Sequence, residues 1–220
     1  MRIKLNFQIF IFAIIFYFTK QIEIYVYILI LGLMHELAHI ITGVILGLKP
    51  KTLHITPFGF STYFEEYKKN GKKILTRQKN IIILAGPIFN ILLAIIAIFI
   101  NLDYILNISR EVFIYANILL AIFNLLPIYP LDGGRIIKNI ISSRENIKPE
   151  RKIYLPEQIS YITLIILTAL TSILILYIKN IALFFIIVYL WIMMIREIRY
   201  NKIRRFCLIE LEKDIRRKNI

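Results

Sequence analysis

Residues 24–48 have the sequence IYVYILILGLMHELAHIITGVILGL, an apolar run long enough to cross a membrane as one helix. The run nevertheless contains His35, Glu36 and His39. Because ionisable side chains are costly at bilayer depth, these three residues indicate a functional site. The two histidines are four residues apart, so they project from one face of a helix and can bind a single metal ion together.

Glu36 lies next to this histidine pair and is a candidate general base. Its offset of one residue lets it reach a water molecule at the metal without binding the metal itself. Zinc in hydrolases usually takes three protein ligands, so the pattern predicts one Zn²⁺ per chain and a third ligand elsewhere. The alternative is a polar patch that only holds helices together, although a buried glutamate beside two histidines needs partners in either case.

The composition is typical of an integral membrane protein. Of the 220 residues 58% are hydrophobic and the mean hydropathy is +0.69, whereas soluble domains contain about 45–50% apolar residues. The formal net charge of +14 would suit a nucleic-acid partner. The basic residues, however, lie in short blocks between apolar runs, as orientation signals do, so we expect no nucleic acid. Cys207 is the only cysteine, which excludes an intrachain disulfide.

The hydropathy pattern predicts an all-α polytopic membrane protein with six transmembrane helices. The predicted spans are residues 5–19, 24–48, 81–102, 112–131, 159–178 and 181–195. Basic residues are concentrated in alternate connections and after residue 195, so the positive-inside rule predicts that both termini are cytoplasmic. We therefore expect a six-span membrane domain over residues 1–195 and a basic cytoplasmic tail over residues 196–220.

Residues 51–63 fit neither a span nor an ordinary loop. They are rich in β-forming residues, and the Pro57-Phe58-Gly59 stretch can turn the chain. We predict a short membrane-associated β-hairpin after the second span, with an interfacial loop as the alternative. His54 lies in this segment; an interfacial side chain is the favoured interpretation, and a fourth metal ligand or a gate is the other.

A second motif closes the fourth predicted span, where residues 124–135 have the sequence NLLPIYPLDGGR. Pro127 and Pro130 prevent a straight helix there. A broken helix end that lines a polar cavity can place a carboxylate beside a metal within a bilayer. Asp132 is therefore the candidate third ligand, since the other acidic residues considered lie in predicted outer or solvated connections. Taken alone, the motif would be interpreted as a turn that ends a helix.

Together these motifs resemble the site-2 protease family of intramembrane zinc metalloproteases. Within that family the chain most resembles the stage IV sporulation factor B group of endospore-forming bacteria, whose members have six spans. The third predicted span begins LAGPIFN, similar to a Gly-Pro-x-x-Asn element that the family carries at the same place. The resemblance extends over residues 1–195 and rests on His35, Glu36, His39, Asn124, Pro127, Asp132 and Gly133.

The resemblance implies a zinc endopeptidase that cleaves a membrane-associated protein near the cytoplasmic face. It implies that His35, His39 and Asp132 bind zinc and that Glu36 activates water. Asn124 would lie close to the active site and position the substrate or stabilise the oxyanion, and the hairpin would guide an unwound substrate segment. In the sporulation group the substrate is a sigma-factor precursor, so the expected location is the cell membrane or the membrane around the forespore.

The expected partners are the lipid bilayer, a membrane-associated protein substrate and inhibitory membrane proteins. The sequence contains no match to the nucleotide-sensing CBS domain of the longer sporulation proteins, so we do not expect nucleotide control through such a domain. One alternative function is a membrane cation transporter, which the nearly charge-free remaining spans disfavour. The other is an inactive substrate-binding scaffold, which the intact histidines, Glu36 and Asp132 disfavour.

Overall fold

The computed structural model describes residues 2–56, 59–64, 68–69, 72–73, 75–100, 103–105, 108–178 and 182–218. The chain divides into two compact units, Met1–Leu125 and Leu126–Ile220. In the first unit the elements follow the order β1 (Arg2–Leu5), α1 (Gln8–Phe18), α2 (Ile22–Ile45), β2 (Pro50–Thr56), β3 (Gly59–Phe64), β4 (Lys68–Lys69), β5 (Lys72–Lys73), α3 (Thr76–Phe99), β6 (Tyr104–Ile105), β7 (Ile108–Ser109) and α4 (Arg110–Leu125).

Helix α3 forms the centre of the first unit, where it packs against both α2 and α4. The three helices contribute one residue each, Leu31, Ala97 and Phe113, to a buried apolar cluster. The small side chain of Ala97 lets the larger two pack closely, as dense protein interiors require. This packing fixes the face of α2 that carries the histidines relative to α3.

The predicted hairpin is present as β2 and β3, which pair antiparallel with Leu53 opposite Thr62. The sequence analysis did not predict the third strand, β1, which pairs parallel to β2 with Ile3 opposite Leu53. All four residues of β1 are exposed, so no alternation of buried and exposed side chains marks them as a strand. The turn residues 57 and 58 lie outside the described residues.

Among the described residues, three helices are long and apolar enough to cross a membrane: Ile22–Ile45, Thr76–Phe99 and Pro149–Tyr177. They correspond to the predicted spans 24–48, 81–102 and 159–178. Helix α1 is apolar but has only 11 residues, which is about 16 Å at 1.5 Å per residue. Leu5, where the predicted span began, is instead the last residue of β1. The fold is thus mostly helical with a small sheet, and six spans are not confirmed.

The other two predicted spans also differ from the observed helices. Helix α4 ends at Leu125, short of the predicted end at residue 131, because Pro127 and Pro130 supply no backbone donors and exclude helical geometry before them. Helix α7 continues without a break past Ile195, where the predicted span ended, into the basic segment. The connection at residues 179–180 lies outside the described part of the chain.

The second unit consists of α5 (Asp132–Ser143), α6 (Pro149–Ile178) and α7 (Ala182–Lys218). Helix α6 packs against both α5 and α7. Its contact with α7 includes a hydrogen bond from the Trp191 indole N–H to the Thr168 hydroxyl, 3.0 Å long. Ile128, Leu164 and Met194 are completely buried in this unit. Ile128 lies in the segment that precedes α5.

Candidate metal centre

Helix α2 holds its two histidines with their metal-binding nitrogens close together. His35 and His39 are both buried, and their Nε2 atoms are 3.2 Å apart. Two nitrogen ligands of a tetrahedral zinc ion, each at about 2.0–2.1 Å, would be about 3.3 Å from each other. The pair therefore has the spacing of two zinc ligands, and the same distance also suits a hydrogen bond between the rings.

Helix α3 fixes the orientation of the second ring. The Nδ1 atom of His39 lies 2.7 Å from the backbone carbonyl oxygen of Ile82. Because a carbonyl oxygen only accepts hydrogen bonds, Nδ1 is the protonated nitrogen, and in the neutral ring Nε2 keeps its lone pair. Metal-binding histidines commonly donate their other N–H in this way, which holds the ring in the orientation needed for the ligand.

Gly86 gives the imidazoles the space that they need. A Cβ atom at this position would lie 2.5 Å from Nε2 of His39 and 2.6 Å from Nε2 of His35. Any side chain on α3 here would therefore fill the place where the two ligand atoms meet. The two buried imidazole nitrogens lie opposite Gly86, which has no side chain. The nitrogen ligands and the space beside them fit a zinc ion.

The small sheet provides a partner for the candidate base. Glu36 is buried on α2, and the backbone N–H of Thr62 in β3 donates a hydrogen bond to its Oε1 atom. This N–H makes the contact with α2, while Thr62 lies opposite Leu53 in the pairing of β2 with β3. One carboxylate oxygen is thus held by backbone, which fixes the direction of the other.

The contact between β3 and α2 depends on a second glycine. A Cβ atom at Gly43 would overlap the ring of Phe64 at the end of β3, so the ring packs directly on the helix backbone. Phe64 also contacts the buried pair Leu48 and Ile82. His39 and Gly43 are one helical turn apart, so the face of α2 that carries the histidines is the face that receives the sheet.

In the second unit Asp132 is the first residue of α5 and is buried. A carboxylate is favoured there because the first turn of a helix has unpaired N–H groups and a positive dipole end. Arg135, one turn later, has its Nη1 atom 3.8 Å from Asp132 Oδ1. Gly134 lets α5 start against the preceding turn, because a Cβ atom would lie 2.5 Å from the backbone at Ile128 and Tyr129.

The turn before Asp132 contacts α6 directly and α7 through Lys138 of α5. The backbone N–H of Tyr129 donates to Ser160 Oγ on α6, at 3.1 Å. Lys138 Nζ lies 4.4 Å from the centre of the Tyr129 ring and 2.9 Å from Glu197 Oε1 on α7. Lys138 therefore links α5, α7 and the turn, and its contacts limit how far the start of α5 can move.

The remaining predicted residues lie as follows. Asn124 is half-buried near the end of α4, and its Nδ2 donates to the carbonyl of Leu120 at 3.0 Å. His54 lies in β2, where its ring centre is 4.9 Å from that of Tyr63. The sequence analysis did not identify the backbone groups of Ile82 and Thr62, because no side-chain pattern signals a backbone partner. It did not predict a site role for Gly86 either; the LAGPIFN segment that contains Gly86 served only for the family resemblance.

The sequence is similar to a family model and to several known proteins. The model of peptidase family M50 matches residues 23–107 and 107–167. The chain is 27% identical over 124 residues to a zinc metalloprotease of Methanocaldococcus jannaschii, covering 54% of this chain and 34% of that protein. It is 30% identical over 127 residues to stage IV sporulation protein FB of Bacillus subtilis, covering 57% of this chain and 43% of that protein. These matches span less than half of each relative.

The fold also matches a solved structure, the site-2 protease from Methanocaldococcus jannaschii, with a TM-score of 0.63. The match covers 89% of both chains at 20% sequence identity, so it shows a shared fold. Since the family model matches more than half of the sequence, this chain belongs to peptidase family M50.

Proposed function

We propose that this chain is an intramembrane zinc endopeptidase that hydrolyses a membrane-associated protein near the cytoplasmic face. The observation that carries the proposal is the pair of buried Nε2 atoms 3.2 Å apart, next to Glu36, on a helix apolar enough to cross a bilayer. Ionisable groups at such a position are retained for function. Membership of the M50 family supports the same reaction.

We propose His35, His39 and Asp132 as the zinc ligands, one ion per chain. The two histidines provide two of the three protein ligands that hydrolytic zinc usually has. Asp132 is of a ligand type and, like both histidines, is buried. When bound, zinc would polarise the peptide carbonyl group and lower the pKa of a water molecule.

Glu36 would carry the proton in this reaction. Its Oε1 atom is held by the Thr62 N–H, which leaves the second oxygen to meet water. Glu36 accepts a proton as the water oxygen bonds to the carbonyl carbon, and it returns this proton to the amide nitrogen as the C–N bond breaks. The products are one new carboxyl group and one new amine, so the atoms balance without another reactant.

The narrower proposal is that the substrate is the precursor of a sporulation sigma factor. Similarity to stage IV sporulation protein FB supports it. Six spans, cytoplasmic termini, inhibitory membrane partners and an active-site role for Asn124 remain parts of this proposal.

Co-expression with such a precursor tests the substrate directly: a shorter product is expected, and an uncut precursor beside an active enzyme would contradict it.

Glu36→Gln is predicted to keep the fold and the zinc but to lower cleavage at least about 100-fold, because a carboxamide cannot accept the proton. Cleavage of the co-expressed precursor and zinc content of the purified protein are the two measurements. Glu23→Gln is the matched control, since Glu23 is an exposed glutamate in the first turn of the same helix. Full activity of Glu36→Gln would disprove the base assignment.

Asp132→Asn is predicted to lower zinc affinity, because a neutral carboxamide oxygen is a weaker zinc ligand than a carboxylate. Zinc retention is measured by dialysing the purified variant against a graded series of chelator concentrations. Glu145→Gln removes an exposed carboxylate after the end of α5 and should change nothing. Retention equal to that of the unmodified chain would remove Asp132 from the ligand set.

Lys138→Met is predicted to weaken metal binding about 10-fold. This is the lower end of the loss in affinity that follows when residues supporting the metal ligands are changed. Lys138 is a positioning residue, so cobalt is titrated into the metal-free protein: the titration gives the affinity, and the visible spectrum reports ligand geometry. Arg205→Met is the control: Arg205 pairs with Glu157 at 3.5 Å and lies over the Tyr154 ring, and neither contact involves the turn. Equal spectral changes in both variants would contradict the assignment.

A further inference from the structure

Asn90 on α3 is a buried polar side chain with no evident partner. It is 0% exposed, and neither Nδ2 nor Oδ1 forms a hydrogen bond with any residue that the structure describes. Folded proteins rarely leave a buried carboxamide in this condition, because it loses its hydrogen bonds to water and gains none in return. Such a group is suited to bind a ligand that offers both an acceptor and a donor.

The position of Asn90 on its helix relates it to the metal centre. Ile82, Gly86 and Asn90 follow one another at four-residue intervals, so they share one face of α3. Ile82 bonds to His39, and Gly86 lies against both Nε2 atoms. Helical side chains lean toward the helix N-terminus, so we expect the carboxamide of Asn90 to lie on the side of its turn that faces Gly86. Gly86 has no side chain to block it.

Two asparagines on α4 differ from Asn90 in their donor atoms, although Oδ1 of Asn117 also has no partner among the described residues. The Nδ2 atom of Asn117, which is also 0% exposed, donates to the carbonyl of Phe113 at 2.9 Å. Asn124 donates to Leu120 in the same way. Each uses the carbonyl four residues earlier in its own helix. Asn90 makes no such bond to Gly86, so among these three side chains its donor is the one left for another molecule.

We propose that the Asn90 carboxamide binds the backbone of the substrate at the bond that is cut. Its Nδ2 donates to the carbonyl oxygen, where negative charge develops as water attacks, and its Oδ1 accepts an N–H from a neighbouring peptide group. A carboxamide pairs with a peptide group because each has one donor side and one acceptor side. The inference rests on the proposed function, since it concerns the substrate of the same reaction.

The test compares Asn90→Leu with Asn117→Leu in the purified, zinc-loaded full chain. The substrates are labelled casein, which is unstructured, and the sigma-factor precursor. Asn90→Leu should lower kcat/KM about 100-fold, mainly through kcat, the effect of removing one donor to a developing oxyanion. Its zinc content should not change, and its unfolding temperature should stay equal or rise, because removing an unsatisfied buried polar group costs little stability. Asn117→Leu should retain activity.

The contradicting outcomes are distinct. If Asn90→Leu keeps activity within about three-fold of the unmodified chain, only internal water contacts the carboxamide. A lowered unfolding temperature or a loss of zinc would indicate a structural role. Each of these results overturns the inference. If Asn90→Leu does not fold, the isosteric Asn90→Asp decides, with a loss of kcat expected from charge repulsion. If the unmodified chain cleaves neither substrate in a zinc-dependent way, the proposed function itself fails.

Discussion

Two imidazole nitrogens held 3.2 Å apart on an apolar helix are the constraint on which the rest of the first unit depends. Two facing lone pairs in a low-dielectric interior repel each other unless a proton or a cation lies between them. Several backbone groups hold this arrangement in place. The Ile82 carbonyl fixes one ring, the bare Cα of Gly86 makes room for both, and the Thr62 N–H holds the adjacent carboxylate.

The sequence predicted the placement of the two histidines better than the framework around them. The spacing of His35 and His39 on an apolar helix was enough to place both rings on one face, and the structure has them there. The strands after the second helix also followed from β-forming residues beside a turn. Membership of the M50 family confirms the resemblance that these motifs indicated. Local spacing and residue type carry this information directly.

The parts that could not be predicted depend on backbone partners or on tertiary context. Strand β1 is fully exposed, so its residues resemble the start of an apolar helix as much as a strand. Its pairing depends on β2, 45 or more residues later in the chain. Helix α4 ends at Leu125 because prolines follow it. A hydropathy average over a window of residues does not detect this effect of proline on helix length. Thr62 and Ile82 act through main-chain atoms, which every residue except proline would supply in both places.

The central claim is that these side chains hold a hydrolytic zinc ion. X-ray absorption at the zinc edge, combined with metal analysis of the purified chain, tests it most directly. We predict one zinc per chain with two imidazole nitrogens at about 2.0–2.1 Å and oxygen ligands at about 2.0–2.2 Å. A chain that purifies without metal, or a zinc signal that lacks the imidazole contribution, would contradict the account.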